Sequence, residues 1–158
     1  MLTEILSRDE CANCRFCCAF DSYDIWETPV ITQELASKIR LLHNPSQEFI
    51  QKGNCYILKL SPEDDSDLFY CSMLDKQKGC MLGDEKPFDC KIWPFRIMNF
   101  QGRRVITVSP VCSTVYNKKL SELMEFAKKL SPLIFEQADL HPEIIKDYMI
   151  GHPILLIE

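Results

Sequence analysis

Hydrophobic residues recur at two spacings along this chain, and the change from one to the other marks its elements. Within 21–31, Tyr23, Ile25, Val30 and Ile31 fall at roughly alternating positions, which predicts one or two short extended segments interrupted by Pro29. Thr32 is a good N-cap and Glu34 sits in the first turn, where the helix dipole favours a negative charge, so a helix is predicted over 33–42. Leu35, Ile39 and Leu42 share one face of it, Leu41 broadens the stripe, and His43-Asn44-Pro45 ends it. Residues 46–52 read as a further helical turn, and 54–60 (Asn-Cys-Tyr-Ile-Leu-Lys-Leu) as a strand. An acidic loop at 62–67, read as a solvated hairpin tip, then leads to 68–74, expected to return antiparallel to that strand.

Farther along, Pro87 suits the first turn of a short helix carrying Phe88 and Cys90. Residues 96–100 and 103–109 flank Gln101-Gly102 and predict a hairpin. Leu120, Leu123, Met124, Ala127 and Leu130 repeat at helical spacing, giving a long helix over about 114–130 that Ser131-Pro132 breaks or kinks. A final short helix is expected from His141-Pro142 to Met149, and an extended tail over 154–157. The lead-in, 1–10, carries Ile5 and Leu6 as packing residues.

At 158 residues with no repeat, linker or low-complexity tract, the chain is expected to form one α+β domain. Short strands and loops would surround the chemistry and helices would flank it. The hydrophobic share is 46% and the charged share 26%, ordinary for a globular protein. No run of eighteen apolar residues suggests a membrane span, and the N-terminus lacks a basic start and an apolar h-region. The net charge of −5 and the absence of a basic block argue against a nucleic-acid partner. A cytoplasmic setting is expected, where thiols stay reduced, and the nine cysteines are odd in number, so a disulfide framework is disfavoured relative to metal.

Four of those cysteines crowd into Cys11-Ala-Asn-Cys14-Arg-Phe-Cys17-Cys18. A CxxC spacer folds into a tight turn whose N–H groups can point at the sulfurs and stabilise their negative charge. Neighbouring side chains on one backbone diverge, so Cys17 and Cys18 are expected to serve different metals or different corners of a cluster. A second group is Cys71, Cys80 and Cys90, the last within Lys86-Pro87-Phe88-Asp89-Cys90 and followed by Pro94-Phe95; Cys112 comes after the predicted hairpin.

This combined spacing, over residues 11–115, resembles the CxxCxxCC zinc- or iron-chelating domain family (the YkgJ type). The family often has Arg-Pro before its penultimate cysteine and Arg after it, where this chain has Lys86-Pro87 and Lys91; its last cysteine often precedes Pro-Gly, whereas Cys112 precedes Ser113-Thr114. A flagellin lysine methylase is similar in its cysteine motif, but it is a larger protein and its activity does not transfer on cysteines alone. Residues 116–158 form a C-terminal helical extension that the resemblance does not cover, and substrate or partner specificity could reside there.

The candidate metal ligands are therefore Cys11, Cys14, Cys17, Cys18, Cys71, Cys80, Cys90 and Cys112. Thiolate-only ligation suits Zn²⁺ or an iron–sulfur cluster rather than Mg²⁺ or Ca²⁺. Eight thiolates would satisfy two zinc sites of four cysteines each. The CxxCxxC start with a remote fourth cysteine resembles bacterial ferredoxin spacing and favours a [4Fe–4S] cluster. Three function classes follow: an iron–sulfur protein in redox or group-transfer chemistry on an unnamed substrate, a structural zinc module, and a metal-delivery or sensing protein. Cys55 reads as a buried apolar cysteine outside the pattern. His43, His141 and His152 read as surface or capping residues, and Phe16, Phe20, Trp26, Trp93 and Phe95 as core. There is no Ser–His–Asp order, phosphate loop or Rossmann fingerprint.

Overall fold

The computed structural model describes residues 2, 4–7, 14–21, 25–60, 67–75 and 77–158. The chain divides into two compact units, one of residues 8–91 and one of 92–158 with the first seven residues. The architecture is mixed α+β. Cys11, Tyr23 and nearly all of the acidic loop lie outside the described residues.

In the first unit, β1 (Ala19–Asp21) is followed by a 3-10 turn, β2 (Val30–Ile31) and α1 (Gln33–Leu42). The N-cap is as expected, with Thr32 Oγ1 accepting from the Leu35 N–H at 3.2 Å. Ala36 and Ile39 are buried, but Leu41 and Leu42 lie beyond the core and are exposed. Residues 46–52 are not a helical turn. Phe49–Lys52 forms β3, paired antiparallel with β4 (Cys55–Leu58). The local reason is the two-residue Gly53-Asn54 connection: Gly53 takes φ 59°, the left-handed value a tight hairpin demands.

Both edges of β4 are then occupied, by β3 on one side and β2 on the other. The segment after the acidic loop therefore cannot return against β4. Instead β5 (Leu68–Tyr70) pairs antiparallel with β1, and β6 (Leu74–Asp75) turns into β7 (Gly79–Cys80). The unit closes with the short α2 (Phe88–Ile92), just past Pro87. Its core gathers Ile31, Ala36, Ile39, Leu58, Met73 and Leu82, with Cys71 and Cys80 partly buried against it.

The second unit is built on a four-stranded sheet, in the order β10-β8-β9-β11. Its centre is the expected hairpin, β8 (Phe95–Phe100) and β9 (Arg103–Val108). Gln101 at φ 53° and Gly102 at φ 81° form a turn with two left-handed residues, the geometry that matches strand twist. The expected helix over 114–130 is instead two: α3 (Ser113–Tyr116) and α4 (Leu120–Leu140).

Pro132 does not stop α4. A proline there leaves the Lys128 carbonyl without its usual N–H donor, and the Ser131 hydroxyl donates to that carbonyl at 3.0 Å. Ile134 and Ala138, both buried, extend the apolar stripe past the proline, which rewards continuing the helix. The predicted last helix is only a 3-10 turn, Pro142–Ile144, leading into β10 (Lys146–Asp147), parallel to β8. The tail forms β11 (Ile154–Ile157) against β9, as its apolar run suggests. Phe95 and Phe126 pack at 5.6 Å between centroids. Arg104 on β9 grips Asp139 at 2.5 Å and the Glu158 carboxylate, with its guanidinium over Phe135.

Candidate metal centre

Among the eight described cysteines there is no disulfide. Four of them, Cys17, Cys18, Cys71 and Cys80, come together in the first unit from three separate stretches of chain. A 3-10 turn over Phe16–Cys18 follows Arg15, which holds φ 54°, a left-handed value uncommon for a side chain of its kind. That turn sets Cys17 Sγ 3.8 Å from Cys18 Sγ. The expected divergence of these neighbours does not occur, because the tight turn ends at Cys18 and the chain becomes extended only at Ala19.

Cys71 is brought opposite by the β1–β5 ladder. Beyond the Ala19–Tyr70 pair, its N–H donates to the Cys18 carbonyl at 2.8 Å. A turn closed by the Leu74 N–H on the Cys71 carbonyl, 2.9 Å, then launches β6, and β7 returns with Cys80 across from Leu74. The hairpin tip is held by Asp75, whose carboxylate accepts from the Gln77 and Lys78 N–H groups at 2.8 and 2.7 Å. Those two backbone bonds hold Asp75 below the ordinary aspartate range, with smaller help from the charges of Lys78 and Arg15.

The sulfurs feel one another. Cys17 exerts the largest single influence on Cys18 and lowers its pKa, but the nearby Cys71 thiol, burial, and the charges of Cys71 and Cys80 together push it up to about 12. Thiols so crowded oppose each other's ionisation, and a bound cation reverses that balance by holding them as thiolates. The donor set thus fits a soft cation or cluster. Two thiolates on one tetrahedral ion with bonds of ~2.3 Å stand about 3.8 Å apart. The Cys17–Cys18 pair has that spacing, yet among the described residues no three of these sulfurs lie mutually within 4.8 Å. The set is wider than the shell of a single ion.

The other candidates are placed as follows. Cys14 is exposed. Cys90 is half-buried on α2, its N–H donating to the Pro87 carbonyl at 3.0 Å. Cys112 is buried in the second unit, at the start of α3. Cys55 is buried on β4, as expected. Of the aromatic residues read as core, Phe20 and Phe95 are buried, whereas Phe16 is exposed.

Two supporting residues escaped sequence reasoning. Asp89, in the first turn of α2 beside Cys90, is buried and accepts the Val30 N–H at 2.9 Å, tying that helix to β2. Its signal was a carboxylate inside Lys86-Pro87-Phe88-Asp89-Cys90, flanked by apolar and cysteine residues. Ser72, between Cys71 and the buried Met73, has a hydroxyl that is buried without a hydrogen-bond partner; nothing in the sequence marks it. Comparison with protein-family models, with curated proteins and with solved structures gives no match to this chain.

Proposed function

We propose that the chain is a cysteine-ligated metal protein of the CxxCxxCC type, whose centre is an iron–sulfur cluster held by Cys17, Cys18, Cys71 and Cys80. The observation that carries the reading is the meeting of these four thiols from three stretches of chain, at spacings wider than one ion's shell. When bound, such a cluster supplies one-electron redox or group-transfer chemistry, here on an unnamed substrate. The protein's own share is positional. The Cys71 N–H to Cys18 carbonyl bond and the Asp75 turn position the backbone that carries the thiols, and the core beneath Cys71 and Cys80 limits their contact with water. A cytoplasmic setting, where thiols stay reduced, belongs to the same proposal.

A second reading is a structural zinc site, favoured by the 3.8 Å spacing of Cys17 and Cys18, which suits two thiolates on one ion.

Protein purified without oxygen and analysed for iron, sulfide and zinc distinguishes the two. Brown protein with iron and acid-labile sulfide, both lost in Cys71→Ser and kept in Cys55→Ala, is the expected result. Colourless protein with stoichiometric zinc would establish the second reading. Protein with neither metal, or metal lost equally in Cys55→Ala, would remove this site from the account.

A further inference from the structure

Cys18 and Cys71 stand to each other as a cross-strand pair, one step beyond the β1–β5 ladder and joined by a backbone hydrogen bond of 2.8 Å. Only one backbone bond joins them, since the Cys18 N–H donates to the Arg15 carbonyl at 3.0 Å; opposed residues of antiparallel pairs have Cα atoms about 4.5–5.5 Å apart. That lies inside the range of roughly 4.4–6.8 Å that a disulfide spans without moving the backbone. The Cys71 thiol is also among the groups near enough to Cys18 to raise its pKa. Both residues are half-buried, and Cys71 lines a cleft of about 390 Å³ together with Tyr70, Ser72 and Leu74, so a small molecule can reach it.

We infer that Cys18 and Cys71 form an oxidative modification site, joined as a cross-strand disulfide by a low-molecular-weight disulfide when no metal holds them and the surrounding thiol pool turns oxidising. One protein thiolate attacks the small disulfide, forming a mixed disulfide and expelling one small thiolate. The second protein thiolate attacks the protein-side sulfur of that mixed disulfide and expels the other. Two protein S–H bonds and one small S–S bond are broken. One protein S–S bond is made, and the two protons end on the two small thiols released. The competing partner, Cys17, has its Sγ 3.8 Å from that of Cys18, but joining adjacent residues closes an eight-membered ring that distorts the intervening planar peptide. The inference deepens the proposed metal site, since bound metal would shield the same sulfurs; the dithiol chemistry itself needs no metal.

The test uses the full chain, stripped of metal by a chelator, reduced, and then exposed to oxidised glutathione. After the remaining thiols are blocked, trypsin releases Cys17 and Cys18 together in the peptide 16–38 and Cys71 in the peptide 60–76. The expected product is 16–38 joined to 60–76 with the loss of two hydrogens, fragment ions placing the link on Cys18. It is reversed by dithiothreitol, lost in Cys18→Ser and kept in Cys17→Ser. The same oxidation in concentrated urea should instead scatter links over many cysteine pairs. A link closed within 16–38, a link to Cys71 that runs through Cys17, or a folded-state pattern no different from that in urea would overturn the inference. Metal content is read separately. A specific Cys18–Cys71 link in protein that never held metal leaves this inference standing and removes the proposed function. Metal-loaded protein that fails to cross-link once stripped does the reverse.

Discussion

At the residue scale, two carboxylates do unlike work on the same unit. Asp89 is buried and supplies the acceptor for the Val30 N–H, so Asp89→Ala leaves a buried donor without its acceptor. The expected cost is about 1–3 kcal/mol in urea unfolding, with Asp89→Asn, which keeps a carbonyl oxygen in place, costing less. Asp75 is on the surface and acts through its charge. Its pKa is lower in the folded chain than in the unfolded one, because the Lys78 and Gln77 N–H groups favour the carboxylate. Its stabilising effect is therefore complete above the ordinary aspartate pKa, and is lost as the pH falls through the depressed folded value. The Gln77 and Lys78 amide resonances, followed by NMR during acid titration, should move together with a midpoint below that of an unstructured aspartate. Separate midpoints, or one at the ordinary value, would contradict this account of the turn.

At the scale of the element, α4 and the β8–β9 hairpin each carry a residue that local preference disfavours. Pro132 sits inside a helix of 21 residues, its lost hydrogen bond replaced by the Ser131 hydroxyl. Ser131→Ala should lower stability by roughly 0.5–1.5 kcal/mol. Pro132→Ala restores the helical N–H donor and should raise the melting temperature, by an amount corresponding to at most roughly 3 kcal/mol. If Pro132→Ala is instead destabilising, the proline has a packing role beyond the helix ladder. In the hairpin, Gln101 occupies a left-handed position that asparagine tolerates better. Gln101→Asn is expected to stabilise the protein by up to about 1 kcal/mol, measured by thermal unfolding, without altering the strand register.

On the scale of the whole molecule, the C-terminal segment is structural in the second unit. Residues 132–158 contain β10 and β11, two of the four strands of its sheet, and the buried Ile134 and Ala138. Ending the chain at Ser131 should abolish cooperative unfolding of the 92–158 unit and collapse its dispersed amide spectrum. Retention of both would return the segment to the role of an appended specificity element. Among the described residues no helix is long and apolar enough to cross a membrane.

What the chain determined by itself is whatever depends on neighbours a few positions apart. The Thr32 cap, the 33–42 helix, the Gln101-Gly102 turn with its two strands and the Cys55 strand are set by local dihedral and side-chain preferences, and each can be read directly. Tertiary structure decided what depends on competition between distant segments. Whether 68–70 pairs with β4 or β1 turns on which edge is still open, and both edges of β4 are taken by strands that sequence reading treats as a helical turn and an isolated extended stretch. The eight cysteine candidates were legible as a pattern of spacings, but their grouping was not. Cys17 and Cys18 come together because a 3-10 turn brings their sulfurs within 3.8 Å, and Cys71 lies opposite Cys18 because of a ladder between residues about fifty apart in sequence.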